Sequence, residues 1–551
     1  MKRYLPVLLA AGLILAGTAA PAAAADPATA GGSGTNTQGI NTQGTNTQGT
    51  VLRGINLDGV TVLDLQRAMD SRRLSATALT AFYLDRIRAL NPKLHAVLET
   101  NPDALREAAA SDAHRRAHGS RGPLDGIPVL LKDNVDTADR EHTTAGSYAL
   151  LGARPARDAT LVQRLRAAGA VILGKANLSE WANFRSTTAS SGWTGRGGQT
   201  NNPYVLDRNP CGSSSGSAVA AAADLATVTI GTETDGSIVC PSGTNDDVGI
   251  KPTLGLVSRA GVIPISAQQD TAGPITRNVT DAAAVLSVIQ GVDPRDAATA
   301  PAAPYVHRDY LDALNRNALR GKRIGVWRGG GDNPAAEVVL TATIDKLRGL
   351  GATVVDNVDL PGIDDAFTNE YPALLVEFKH DINAYLAGTP GQHPADLAGL
   401  IAFDRAHAGI EMPYFQQEIF EQAQATSGDE TDPTYVRERT TATQSARDAI
   451  DQAVAANRLD AILAPTNGPA WVTNLQTGDD FTDFTAASGP GAIAGYPDLT
   501  VPAGYDPTGT LPIGMSLFGG RFSEPTLIAL GYAFEQATHA RRAPTFLPTL
   551  G

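Results

Sequence analysis

The sequence predicts an α/β fold in which a mixed, mostly parallel central sheet is covered by helices on both faces. Short apolar runs, which are typical of buried strands, alternate with alanine-rich segments that favour helices. No interior stretch has the composition of an interdomain linker, so a single large domain is expected. The strand candidates are residues 127–131, 171–173, 227–230, 323–326, 461–464, 499–501 and 513–518.

The N-terminus has the pattern of a secretory signal peptide over residues 1–25. Lys2 and Arg3 precede an apolar run at residues 5–16, and three alanines ending at Ala25 follow further on. Because the run is shorter than the ~20 residues of a bilayer span, we expect cleavage near Ala25 and a secreted, extracellular chain. An uncleaved N-terminal anchor is the alternative. No other segment is apolar and long enough to predict a membrane partner after cleavage.

Residues 26–54 are predicted to be a flexible linker. Asn36, Asn41 and Asn46 each begin an Asn-Thr-Gln-Gly unit in a segment rich in Gly, Thr, Asn and Gln. Such a composition buries too little apolar surface to offset the entropy of ordering the chain. The folded domain is therefore expected to cover residues 55–551.

Helical segments follow from apolar spacing and composition. Apolar residues at 79–90 fall on one face of a helix, and Pro92, after Asn91, is expected to stop that helix. Residues 371–439 are helix-rich and more polar, which suits an insertion on the substrate side of the core. Residues 523–540 predict a closing helix.

Composition excludes some classes of partner. The 57 acidic residues outnumber the 44 basic ones, and the net charge of −13 makes nucleic acid and anionic lipid unfavourable partners. The chain has two cysteines, Cys211 and Cys240, so it is not a disulfide scaffold. One bridge between them is possible in an exported protein.

Two loops of small residues are the candidates for chemistry, Pro-Cys-Gly-Ser-Ser-Ser-Gly-Ser at 210–217 and Gly-Thr-Glu-Thr-Asp-Gly-Ser-Ile at 231–238. Glycines permit tight turns that aim backbone N–H groups at an anion or oxyanion. Neither loop has the GxxxxGK[ST] form of a phosphate-binding loop. Ser214 satisfies the GxSxG pattern of a nucleophile elbow, but the preceding residues 201–210 are polar and hold prolines where an elbow needs a buried strand.

The two serine loops resemble the signature sequence of the amidase signature family, and the resemblance extends from about residue 57 almost to the C-terminus. The second loop is most similar to that of bacterial peptide amidases, and less similar to the glutamine-using subunit of tRNA amidotransferases. The resemblance implies one amidase domain that hydrolyses peptide or small-molecule amides without metal or cofactor. The further motifs are residues 126–134, 174–181, 249–253, 270–274, 495–503 and 511–514.

The resemblance also implies catalytic roles. Ser237 takes the place of the nucleophile, Ser213 that of the bridging serine and Lys132 that of the base. A lysine can act as a base if an apolar setting keeps it neutral, and Lys132 follows three apolar residues. Lys175 is the rival base. The backbone N–H groups of four residues would form the oxyanion hole: Thr234, Asp235, Gly236 and Ser237.

The sequence indicates the substrate-binding residues less clearly than the catalytic ones. Trp181, Asn183, Phe184 and Asp235 could contact substrate, although buried aromatic residues usually belong to the core. Asp235 stands where relatives more often have glycine, so it either contacts the amide end of the substrate or caps its loop. The histidines form no metal-binding motif such as HExxH.

Residues 244–248 do not match the small, apolar segment of relatives. Asp246 and Asp247 stand where burial is expected, so they find partners or solvent, or else they impair the protein. Two alternatives to a peptide amidase therefore stay open. One is an aryl- or fatty-acyl amide hydrolase with the same triad, and the other is a catalytically silent binding protein on the same fold.

Overall fold

The computed structural model describes residues 49–306 and 309–550. The predicted signal peptide, its cleavage site near Ala25 and most of the predicted linker lie outside the described residues. Regular structure begins slightly before residue 55, because Val51–Leu52 pairs with Ile55–Asn56 as a short antiparallel hairpin. None of the helices in the described ranges combines the length and apolar character needed to cross a bilayer.

The strands coincide with the predicted apolar runs, and several further strands are present. In chain order they are β1 (Val51–Leu52), β2 (Ile55–Asn56), β3 (Val97–Thr100), β4 (Pro128–Lys132), β5 (Val171–Ala176), β6 (Trp193–Thr194), β7 (Gly198–Gln199), β8 (Val228–Glu233), β9 (Val248–Lys251), β10 (Thr271–Thr276), β11 (Arg323–Val326), β12 (Thr353–Val355), β13 (Ala461–Pro465), β14 (Asp498–Tyr505) and β15 (Pro512–Phe518).

The helices pack around these strands. They are α1 (Val62–Asp70), α2 (Ala76–Leu94), α3 (Ala104–His118), α4 (Thr160–Ala167), α5 (Ser215–Ala222), α6 (Val239–Thr244), α7 (Val279–Ile289), α8 (Pro334–Gly349), α9 (Ile363–Gly388), α10 (Leu397–Ala406), α11 (Ala408–Glu411), α12 (Glu418–Ala425), α13 (Pro433–Asn457), α14 (Ser488–Ala494) and α15 (Glu524–Thr538).

One large sheet organises the domain and confirms the predicted α/β class. Its eleven strands run in the order β12-β11-β13-β15-β14-β9-β10-β8-β4-β5-β3. The expectation of a mostly parallel sheet is wrong, because only the pairs β11–β12, β11–β13, β4–β5 and β4–β8 are parallel. The other six neighbouring pairs are antiparallel. The sheet is mixed and is flanked by helices.

The length of the connection explains one antiparallel pair, β14 and β15. Only residues 506–511 separate β14 from β15, which is too few for the crossover that parallel neighbours need. Strands β4 and β5, in contrast, are connected by a segment that contains α4, and they are parallel. Connection length therefore distinguishes these two pairs, whereas an apolar run carries no information on strand direction.

Helix α2 continues past the proline that was predicted to stop it. Pro92 lies in the last turn, and the helix ends at Leu94 with His95 in the left-handed conformation at φ 50°. Proline removes only its own N–H from the helix, and three residues further on the N–H of His95 still donates to the carbonyl of Asn91 at 2.8 Å. The predicted stop was thus placed too early.

The helical insertion is longer than predicted. Residues 371 and 439 lie inside α9 and α13, so the helical region runs from Ile363 to Asn457. A buried ion pair joins these two helices, in which Arg439 Nε lies 2.6 Å from Glu377 Oε1. Aromatic and aliphatic residues of α9, α10 and α12 form a second hydrophobic core that is separate from the core around the sheet.

Candidate active site

Strand β4 delivers Lys132 into the interior of the protein. Lys132 is the last residue of this buried strand and has no exposed surface. Its ammonium Nζ donates to Ser213 Oγ at 2.8 Å, to the carbonyl of Thr232 at 3.1 Å and to Thr232 Oγ1 at 3.0 Å. The structure therefore brings together the predicted base and the predicted bridging serine.

Burial changes the acid–base behaviour of this lysine. Desolvation lowers the pKa of Lys132 to about 7, although the negative charges of Asp270 and Glu233 act in the opposite direction. A lysine with an ordinary pKa near 10.5 is almost entirely protonated at neutral pH. Lys132 instead has a substantial neutral fraction at that pH, so it can accept a proton.

The first serine loop is tied to the second. The peptide bond between Gly212 and Ser213 is cis, and the N–H of Ser214 donates to the carbonyl of Ser237 at 3.1 Å. Ser214 Oγ is occupied, since it donates to the carbonyl of Thr232 at 3.0 Å and accepts from the N–H of Thr232 at 3.2 Å. Residues 201–210 contain no strand. The structure therefore contradicts the nucleophile-elbow interpretation of Ser214.

The second serine loop follows β8 and surrounds Ser237, which is 8% exposed. Glu233 fixes its C-terminal side, because its carboxylate accepts from the N–H groups of Ile238 at 2.7 Å and Val239 at 3.0 Å. Within the described residues, the N–H groups of Asp235 and Ser237 donate to no protein acceptor. These two groups are accordingly available to a ligand.

The other residues of the predicted oxyanion hole are Thr234 and Gly236, and hydrogen bonds fix Thr234. Thr234 Oγ1 donates to Asp270 Oδ1 at 2.6 Å, and its carbonyl accepts from Gln269 Nε2 at 3.0 Å. Gly236 adopts a φ of 78°, a conformation that glycine reaches without steric cost. Burial raises the pKa of Asp235 to about 6, although a hydrogen bond with Ser488 partly offsets that effect.

Lys175, the rival base, does not reach the serine loops. It is fully buried, and its Nζ donates to the carbonyl of Val135 at 2.7 Å and to Thr143 Oγ1 at 2.9 Å. Both acceptors belong to the chain segment that follows β4. Lys175 thus stabilises that segment.

The two cysteines form a disulfide bond, which the sequence left undecided. Cys211 is bonded to Cys240, and the described residues include no free cysteine. The bridge joins the residue two positions before Ser213 to the helix that begins just after Ser237. Both cysteines also line the pocket beside the serine loops.

This pocket has a volume of about 100 Å³ and receives two of the four predicted substrate contacts, Asn183 and Asp235. Trp181 and Phe184 do not line it, which corrects their predicted role. The ring of Trp181 packs 5.6 Å from Phe420, and the ring of Phe184 packs 5.0 Å from Phe378. The helical insertion covers both rings, so they belong to the second hydrophobic core.

Sequence reasoning missed the opposite wall of the pocket. Trp471, Asp479, Phe481 and Phe484 line it from the connection between β13 and α14. These residues are more than 230 positions from Ser237 in the chain. The available signal was three aromatic residues close together in an otherwise polar segment, which resembles no catalytic motif.

The two unexpected aspartates are both buried, with different surroundings. Asp246 accepts from the hydroxyl of Tyr204 at 3.2 Å, from the N–H of Arg542 at 2.9 Å and from the hydroxyl of Tyr505. In the described part of the chain, neither carboxylate oxygen of Asp247 accepts a hydrogen bond. Burial raises the pKa of Asp247 well above its usual range and thereby favours its uncharged form.

One group of metal-ligand type occurs among residues 49–306 and 309–550. His380, Asp381 and Glu430 bring one ligand atom each within 4.8 Å of one another. None of them belongs to the serine loops.

Comparisons with known proteins agree with the geometry. The chain matches the Amidase family model over residues 78–528. An Arabidopsis thaliana protein named as a probable amidase is 44% identical over 496 residues, covering 88% of this chain and 91% of that protein. The solved structure of native peptide amidase from Stenotrophomonas maltophilia has a TM-score of 0.83 and 49% identity, and covers 89% of this chain and 99% of its own.

A further solved structure, the peptide amidase PAM in complex with the competitive inhibitor chymostatin, has a TM-score of 0.84 and 50% identity over 89% of this chain and 99% of that chain. The mixed sheet and these similarities define an amide-hydrolysing enzyme. The chain belongs to the amidase family, which confirms the resemblance inferred from the sequence.

Proposed function

We propose that the chain is an exported serine amidohydrolase that removes ammonia from the C-terminal carboxamides of peptides. The reaction proceeds through an acyl-enzyme on Ser237. The observation that carries this proposal is the 2.8 Å contact between Lys132 Nζ and Ser213 Oγ in a buried setting that lowers the pKa of Lys132 to about 7.

The proton relay follows from this contact. Ser237 Oγ attacks the carbonyl carbon, and its proton passes to Ser213 Oγ while the Ser213 proton passes to the neutral Lys132 Nζ. The relay then reverses. Lys132 returns a proton through Ser213 to the leaving nitrogen, the C–N bond breaks and ammonia departs. Water hydrolyses the remaining ester by the same two-way transfer.

The oxyanion of each tetrahedral intermediate needs hydrogen-bond donors. The free N–H groups of Asp235 and Ser237 support that role, and Thr234 and Gly236 complete the proposed loop. Removing one such donor typically costs about 3 kcal/mol in barrier height. The hydrogen bonds that Glu233 and Asp270 accept keep this loop in shape, so these two residues contribute indirectly to the same stabilisation.

Specificity for a terminal amide is supported by the pocket and by similarity. Asn183 and Asp235 both line the pocket, where their oxygens can accept from the NH₂ group of a carboxamide. The peptide amidase of Stenotrophomonas maltophilia is 49% identical to this chain. Export is proposed from the N-terminal sequence, since an exported enzyme would meet peptides outside the cell.

Leaving-group release from matched substrates tests this function, measured as ammonia from primary amides and as aniline from anilides. Purified enzyme is given blocked dipeptide amides, the same dipeptides as anilides, and long-chain fatty amides at equal concentrations. We expect the dipeptide amides to react fastest, and the Ser237→Ala variant to hydrolyse none of these substrates. Faster hydrolysis of anilides or fatty amides would refute the peptide-amide specificity. No hydrolysis of any amide would favour a silent binding protein.

A further inference from the structure

The pocket wall opposite the serine loops is a single stretch of chain, residues 471–486, which we call the aromatic segment. Its rings pack on one another, with centroid distances of 6.1 Å between Trp471 and Phe481, 6.2 Å between Trp471 and Phe484, and 5.2 Å between Phe481 and Phe484. All three rings line the pocket and remain partly exposed. They provide an apolar surface that a ligand could cover.

Hydrogen bonds of Asp479 hold the aromatic segment against Ser191 and Asn209. The Asp479 carboxylate accepts from the N–H of Ser191 at 2.9 Å, from Ser191 Oγ at 2.6 Å and from Asn209 Nδ2 at 3.2 Å. Its own N–H donates to the carbonyl of Ala189 at 3.2 Å. Asn209 also accepts from the N–H of Cys211 at 2.8 Å. The aromatic segment is thereby connected to the first serine loop through Asn209.

The charged residues that line the pocket are all acidic. Asp235 and Asp479 both line it, and none of the described residues that line it is Lys, Arg or His. A substrate ending in a neutral carboxamide can enter such a pocket without electrostatic cost. A peptide ending in a free carboxylate would meet two like charges and no counterion, which disfavours its binding.

The small size of the leaving group indicates which part of the substrate the aromatic wall meets. Ammonia needs little space, so the part of the substrate that fills the pocket is its acyl side, which bears the amino-acid side chains. Pockets lined by aromatic rings bind apolar side chains by burying their surface. The rings and the carboxylates thus act on the same substrate in complementary ways.

We propose that the aromatic segment is the specificity element of the enzyme: its rings accept an apolar side chain on the acyl side of the scissile bond, and Asp479 together with Asp235 excludes a free carboxylate. The preferred substrate is then a neutral carboxamide of an apolar peptide, and the product acid is expelled. This inference rests on the proposed function, because it assumes that an amide is cleaved at Ser237.

The first experiment measures side-chain preference. Blocked dipeptide amides carrying phenylalanine or glycine at the last or preceding position are compared by kcat/KM. We expect the native enzyme to prefer phenylalanine by at least about tenfold at one of these positions, and Trp471→Ala to reduce that ratio to within about threefold of unity. The control is Tyr305→Ala, which removes a half-exposed ring stacked on Phe522 outside the pocket lining.

The second experiment measures charge exclusion. The product acid and the uncharged C-terminal alcohol of one peptide are compared as inhibitors. We expect the acid to bind at least about tenfold more weakly to the native enzyme, and Asp479→Asn to remove most of that difference. Asp480→Asn is the matched control, because Asp480 is exposed on the same segment and does not line the pocket.

These ratios separate the two levels of the proposal. Each ratio is taken on one preparation, so partial unfolding of a variant cancels. Equal rates with phenylalanine and glycine at both positions in the native enzyme, or an unchanged ratio in Trp471→Ala, would overturn the role of the rings. Equal inhibition by acid and alcohol would overturn the exclusion. If the native enzyme releases no ammonia from any amide, the proposed function itself fails.

Discussion

Replacing Lys132 by methionine should inactivate the enzyme and, at neutral pH, make it more stable. The unfolded chain binds a proton on Lys132 below pH 10.5, whereas the folded chain does so only below about pH 7. Because the folded pKa is the lower one, burying Lys132 reduces the free energy of unfolding. This cost has its full value below about pH 7 and disappears above pH 10.5. The shift corresponds to a cost of about 4 kcal/mol at pH 7 and about 2 kcal/mol at pH 9.

The methionine also has a cost of its own. It leaves Ser213 Oγ and both acceptor oxygens of Thr232 without the lysine donor, a loss of about 1–3 kcal/mol that does not depend on pH. Lys132→Met should therefore exceed the native protein in free energy of unfolding by about 1–3 kcal/mol at pH 7. That advantage should shrink by about 1 kcal/mol for each pH unit up to pH 9.

Urea unfolding of both proteins at pH 7, 8 and 9, monitored by tryptophan fluorescence, measures this difference. Lys175→Met serves as the control, since it removes a buried amine that lies outside the serine loops and removes the lysine hydrogen bonds to Val135 and Thr143. The control should be less stable than the native protein. A difference for Lys132→Met that stays constant from pH 7 to pH 9 would refute the argument that burial depresses its pKa.

Four further outcomes are expected. Ser237→Ala should abolish turnover while binding of the uncharged C-terminal peptide alcohol, measured by calorimetry, is retained; residual turnover would place the nucleophile elsewhere. Ser213→Ala should lower kcat by several orders of magnitude, and Ser214→Ala should instead lower the unfolding midpoint through its lost bonds; the reverse pattern would exclude the relay. The native kcat/KM should fall about tenfold per pH unit below about pH 7 as Lys132 becomes protonated, and a flat profile from pH 5 to 8 would contradict it as base. Asp247→Asn should raise the unfolding midpoint at pH 7, because burial raises the folded pKa of Asp247 above the unfolded value and penalises its charge there. That gain should vanish as the pH falls through the unfolded pKa near 3.8, and a gain that persists would assign it to packing.

Local signals explain what the sequence could predict. Apolar runs predicted most strands of the large sheet because buried strands exclude polar side chains over several consecutive residues. Contacts between residues far apart in the chain were harder to predict from the sequence. Lys132 and Ser213 are 81 residues apart, and only the family resemblance, not periodicity, could place them together.

Long-range packing explains what the sequence could not predict. Trp181 and Phe184 carry the same local pattern whether they face a pocket or a core, and the rings that cover them come from residues about 200 or more positions later. The place of Asp479 in the pocket could not be predicted for the same reason, because its hydrogen-bond partners lie more than 250 positions earlier in the chain. In contrast, the antiparallel pairing of β14 and β15 could have been predicted from the length of their connection.

The bond between Cys211 and Cys240 also acts on the chain before it folds. With 29 positions between its ends, it closes a ring that contains both Ser213 and Ser237, whereas Lys132 stays outside that ring. Closing a ring of this size reduces the entropy of the unfolded ensemble by an amount worth about 3–4 kcal/mol. An unfolded but oxidised chain thus keeps the two serines within a short tether of each other.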